Sequence, residues 1–159
     1  MQILGTVHLV LAIASLILGA VMLSQHKGGS RHRVLGYLYS AALLLVNLSA
    51  LSVYVDSSGL GPFHILALIS LATLTGGFIP AVLRRPNDSW LNIHAYFMSW
   101  SYVGLVAAGV AQITTKFAGH GSFQVVIPVV LIVLAGVLLI HSRVPQILSD
   151  FNRGEGRPS

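Results

Sequence analysis

The side chains in this chain that could do chemistry are seven histidines: His8, His26, His32, His64, His94, His120 and His141. There is no cysteine, which excludes disulfides, thiolate metal sites, iron–sulfur clusters and a cysteine nucleophile. The few carboxylates all lie outside the long apolar runs, so paired-acid catalysis and an acidic proton relay are excluded there. Serines and threonines inside those runs (Ser15, Ser40, Ser49, Ser70, Thr73, Ser99, Ser101) follow no nucleophile-elbow pattern, and hydrogen bonding between helices is their expected role. Asn47 is read the same way. Imidazole remains: neutral enough for an apolar setting and a strong ligand for iron, zinc or copper.

The elements that must position these rings follow from composition. Of 159 residues, 55% are hydrophobic and 8% charged, far below the quarter or so that covers a soluble domain. The mean hydropathy is +0.82. A soluble domain, a disordered chain and a fibrous repeat are excluded, and the chain belongs in a lipid bilayer. Five segments free of Asp, Glu, Lys and Arg reach the length of a membrane-spanning helix: Ile3–Ser24, Val34–Val55, Pro62–Leu83, Leu91–Thr115 and Gln124–His141. None alternates as a barrel strand would. The expected fold is all-α, a polytopic antiparallel four-helix bundle plus a fifth transmembrane helix, forming one domain over residues 1–142. Residues 143–159, rich in Gly, Arg, Pro and Ser, are expected to form a solvated tail. Pro62 should open the third helix, and Pro80 and Pro128 should kink theirs.

Charge placement gives a direction. Lys27, Arg31, Arg33, Arg84, Arg85, Arg143, Arg153 and Arg157 share one face, with Lys116 alone on the other. The net charge of +5 is therefore a topology signal, not a nucleic-acid signal. By the positive-inside rule that face is cytoplasmic and the N-terminus lies outside. Trp90, Tyr37 and Tyr96 fit an inner aromatic belt, and Tyr54, Phe63, Phe117 and Phe123 an outer one. The first helix lacks a basic n-region and is too long for a signal-peptide core, so it is expected to stay.

With short connections, helices one and three should stand diagonally, as should two and four. His8 and His64 then face each other across the outer half, and His32 and His94 across the inner half. A weak repeat supports this, since Gly5-Thr6-Val7-His8 opens helix one and Gly61-Pro62-Phe63-His64 opens helix three. A diagonal histidine pair in each leaflet is how a transmembrane b-type cytochrome holds two haems, each iron taking two imidazoles. A glycine three residues before a histidine clears the same helix face for a flat macrocycle or another helix; Gly19, Gly36, Gly76, Gly77, Gly104 and Gly109 add further thin places. The bland alternative is interfacial anchoring, which suits His26, His120 and His141, and His32 between two arginines. A zinc or copper site from His26, His32, His94 and His141 lacks any supporting ligand spacing.

The first four helices resemble the bacterial membrane proteins of domain-of-unknown-function family 2306. The residues that carry the resemblance are His8, the run Arg31-His32-Arg33-Val34-Leu35-Gly36, and His94 with Met98 and Trp100. It covers about residues 1–115 and implies a multi-pass protein of the bacterial inner membrane, with these residues as candidates and no reaction attached. The fifth helix is read as an addition. The leading functional expectation is a small b-type haem protein in electron transfer, with His8, His64, His94 and His32 as axial ligands and a quinone or larger membrane complex as redox partner. The rivals are a cofactor-free accessory subunit of such a complex and, less favoured for want of an ion-coupling group, a transporter. No enzyme reaction is specified.

Overall fold

The computed structural model describes residues 2–53, 62–87, 89–118 and 122–155. They form five helices: α1 (Gln2–Ser24), α2 (Ser30–Val53), α3 (Pro62–Leu83), α4 (Trp90–Ala118) and α5 (Ser122–Glu155). All five are long and apolar enough to cross a membrane, and there is no strand among the described residues. In lipid a single apolar segment can satisfy its backbone only as a helix. Pro80, Pro128 and Pro145 lie within helices that run on through them.

The helix ends at the basic side are closed by local chemistry. Lys27 Nζ–H donates to the Met22 carbonyl at 2.5 Å and the Leu23 carbonyl at 3.0 Å, so a cation covers the orphan acceptors of α1. Gly28 then turns the chain with φ of 87°, a conformation that suits glycine. At the end of α3, Arg84 takes φ of 50° and Arg85 N–H donates back to Pro80 O at 3.3 Å. That is a Schellman closure with arginine at the position glycine usually fills. The Arg85–Pro86 peptide is cis. Pro86 O accepts Trp90 N–H at 2.9 Å, and α4 begins.

The helices close a ring: α1 packs on α2, α2 on α3, α3 on α4, and α4 on α1. The diagonals are α1/α3 and α2/α4, as the connection lengths imply. α5 packs along α4, outside the ring. The core is small, built on Tyr39 and Leu43 with Met22, Val46, Leu74, Met98 and Leu105. Large apolar side chains cover the outside instead, Ile3 and Phe117 being more than four-fifths exposed. Such a surface is stable only against acyl chains.

α4 is the hub, and glycines on its neighbours receive it. A Cβ at Gly19 of α1 would overlap the Tyr102 ring, one at Gly76 the Phe97 ring, and one at Gly136 of α5 the Val103 methyls. At Gly77 it would stand 2.9 Å from Met98 Cγ and 3.0 Å from the Met98 backbone nitrogen. Close small-residue contacts replace the hydrophobic drive that lipid removes. The thin places at Gly19, Gly76 and Gly77 are thus filled by helix side chains, whereas Gly104 and Gly109 meet nothing within 4 Å.

Residues 143–155, read from composition as a tail, continue α5 as helix. Val144, Ile147, Leu148 and Phe151 recur at helical spacing and line the inner side of the bundle. Phe151 lies close enough to Gly28 that a Cβ there would be 2.9 Å from its ring. Composition suggested a tail; the apolar stripe outweighs it. Residues 156–159 lie outside the described residues.

Candidate functional site

At the basic end, α2 and α4 face each other across the diagonal. His32 sits in the first turn of α2 and His94 in the second turn of α4. Their ring centroids are 6.3 Å apart, with planes at 87°. This is the meeting that the bundle topology predicts for the inner pair.

The position of His94 has a traceable cause. Gly77 carries no side chain, so α4 approaches α3 to backbone contact at Met98. His94 is one turn before Met98 on the same face. There its Nδ1–H donates to Gly77 O at 2.9 Å. A carbonyl can only accept, so Nδ1 is the protonated nitrogen and Nε2 holds the lone pair. A carbonyl that accepts from one ring nitrogen, and so fixes the tautomer, is the usual partner of a metal-bound histidine. The facing His32 is half-buried, and its buried Nδ1 has no hydrogen-bond partner among the described residues.

The pair lines a cavity of about 430 Å³, a volume in the range of small-molecule and cofactor sites. Its walls are largely apolar or aromatic, with Tyr39, Phe78, Met98 and Tyr102 among them, and Phe151 of α5 at the rim. Below lies a buried polar clasp: Tyr39 OH and Ser101 Oγ are 3.0 Å apart across the same α2/α4 diagonal, and Ser101 donates to Met98 O. Tyr102 OH donates to Leu16 O of α1 at 3.3 Å. Lys27, Arg33 and Arg84 also line the cavity, at the basic end. Burial holds the Lys27 ammonium below the usual lysine range.

Two imidazoles, apolar walls and nearby cations are the kinds of group that hold a haem. A metal bonded at ~2 Å to one nitrogen of each of two facing imidazoles sets their centroids roughly 6 Å apart, which is the spacing found. Apolar walls suit a macrocycle, and three cations suit its carboxylates.

The far end is different. His8 is half-buried on α1, and its Nδ1 lies 2.8 Å from Ser49 Oγ of the adjacent α2. Ser49 donates its own proton to Val46 O, so it accepts from His8 Nδ1–H, and Nε2 carries the lone pair. His64 is buried on α3 at 6% exposure. The structure therefore ties His8 to a neighbouring helix and brings together the basic-end pair.

Of the other histidines, His26 is exposed in the α1–α2 connection. His141 bonds the Val137 carbonyl of its own helix and stacks edge-on to Tyr96 at 6.3 Å. His120, Tyr54 and Gly61 lie outside the described residues. Among the described residues no group of three His, Asp or Glu gathers as a metal site, so the four-histidine zinc or copper arrangement is not formed there.

Comparison with known proteins places the chain. Residues 5–149 match the family described as predicted membrane protein, DUF2306. The chain belongs to that family. The match runs through the fifth helix, so α5 is part of the DUF2306 pattern and not an addition after residue 115. No curated protein and no solved structure gives a match. For this DUF2306 protein, a multi-pass membrane location follows from the family and the five spanning helices together.

The sequence did not show which neighbours hold two of the candidate histidines. Ser49 as the partner of His8 and the Gly77 carbonyl as the partner of His94 were both unforeseen. The signal for Gly77 was present as a Gly76-Gly77 pair ahead of Pro80, which marks a close helix approach.

Proposed function

We propose that this chain is a small integral-membrane b-type haem protein that passes electrons, with His32 and His94 as the axial pair of its basic-end site. The observation that carries the reading is the 6.3 Å, near-perpendicular pairing of two diagonal imidazoles over an apolar cavity. Haem b held by His32 and His94 would supply a one-electron carrier. The chain does the rest. Gly77 O orients His94, the Tyr39–Ser101 clasp holds α2 and α4 at a fixed separation, and the aromatic walls exclude water. By the positive-inside rule the site faces the cytoplasm, with a quinone or a larger membrane complex as electron partner.

The test is the reduced-minus-oxidised spectrum of protein purified in detergent from haem-replete cells. A sharp Soret shift is expected, lost in His32→Ala and His94→Ala. The haem-to-protein ratio decides whether His8 and His64 hold a second haem at the far end. A colourless preparation overturns the proposal and supports the cofactor-free accessory subunit.

A further inference from the structure

Among the described lining residues of the basic-end cavity there are three cations and no Asp or Glu. Each cation is set there by a different device. Lys27 uses two of its three N–H groups on the Met22 and Leu23 carbonyls, which fixes the ammonium half-buried and leaves one donor. Arg33 projects from the first turn of α2, whose backbone begins with Arg33 N–H donating to Gly29 O at 3.2 Å. Arg84 occupies the left-handed position that closes α3, where a side chain costs energy and glycine does not. An arginine kept at a glycine position and a half-buried lysine, both lining one largely apolar cavity, suit something negative and greasy.

We infer that Lys27, Arg33 and Arg84 form an anion-binding mouth that takes the acidic groups of an amphiphile whose apolar body fills the cavity. Two sources share this chemistry: the propionates of haem and the phosphate of an anionic phospholipid. The haem arm rests on the proposed function and the lipid arm does not. Guanidinium and ammonium groups grip carboxylates and phosphates through charge-assisted hydrogen bonds, strongest where water is excluded.

The experiment offers apo-protein haem b or its dimethyl ester, in which both propionates are neutral, and reads retention by absorbance after gel filtration. In parallel, the protein is held in nanodiscs of equimolar phosphatidylglycerol and phosphatidylcholine, and retained lipid is counted by native mass spectrometry. Arg84→Gly is the informative variant, because it removes the cation while relaxing the backbone; its melting temperature should be unchanged or higher. Lys27→Met is the second. Wild type should retain haem b at least ~10-fold better than the diester, and both variants should narrow that gap. Equal retention of acid and ester by wild type overturns the anionic mouth and leaves the haem reading standing. If no porphyrin is retained but phosphatidylglycerol is selected and Arg84→Gly releases it, the mouth stands on lipid and the haem reading falls. Retention of neither overturns both.

Discussion

At the basic end of the bundle two histidines from diagonal helices meet over a cavity, while at the far end His8 leans on a serine of the adjacent helix. Both ends use the same tautomer device, an Nδ1–H donated to an oxygen on a neighbouring helix, leaving Nε2 bare. What distinguishes the basic end among the described residues is the cavity that its two rings line. At the basic end Gly77 draws α4 against α3, and Lys27, Arg33 and Arg84 are among the residues that line the cavity.

The largest expected effect breaks the basic end alone. His94→Ala should lower cofactor retention at least ~100-fold, as losing a metal ligand does more than losing its outer-shell partner, whereas His8→Phe should leave the basic-end spectrum in place. Difference spectra of the two variants, normalised to protein, check this. Equal loss from both variants would erase the distinction between the ends.

The next effect is about packing. Gly77→Ala places a methyl against Met98 Cγ and backbone, contacts that cannot all give way, and overpacking of this kind costs ~1–3 kcal/mol. Gly104→Ala meets nothing within 4 Å and should change stability by less than about 0.5 kcal/mol. Thermal melting in one detergent compares them. If the proposed haem is bound, the Gly77 variant should also broaden its bands, because the shift of α4 that relieves the Met98 clash moves His94 relative to the residue-77 carbonyl.

How much of this could be read beforehand is itself uneven between the ends. The five spans and the diagonal arrangement were legible, because apolar length and short connections leave few alternatives in lipid. The His32–His94 meeting follows from that topology. The hold of Ser49 on His8 does not, since rotation of α1 and α2 about their own axes depends on which small residues face which partner. The inner course of α5 was hidden for another reason. Two glycines, two prolines and five arginines or serines in residues 143–159 suggest a tail, yet Val144, Ile147, Leu148 and Phe151 form a helical stripe that lines the cavity. Local composition argued one way, and burial argued more strongly the other.

The Tyr39–Ser101 clasp sharpens the comparison further. Tyr39→Phe keeps the ring, which is 1% exposed, and deletes only the hydroxyl between α2 and α4. Ser101 still donates to Met98 O, so no donor is stranded and the loss should be about 1 kcal/mol.

The smallest expected effect tests the far end on its own terms. Ser49→Ala removes the acceptor of His8 Nδ1–H, a contact between neighbouring helices in lipid, where such bonds average about 0.6 kcal/mol. His8 is half-buried and can turn its ring toward the headgroup region, which offsets part of the loss. A drop of roughly 0.5 kcal/mol in detergent melts is therefore expected, with no change in the basic-end spectrum. Should Ser49→Ala instead shift that spectrum, the two ends are energetically coupled through α2, and the difference between them is one of degree along a single helix.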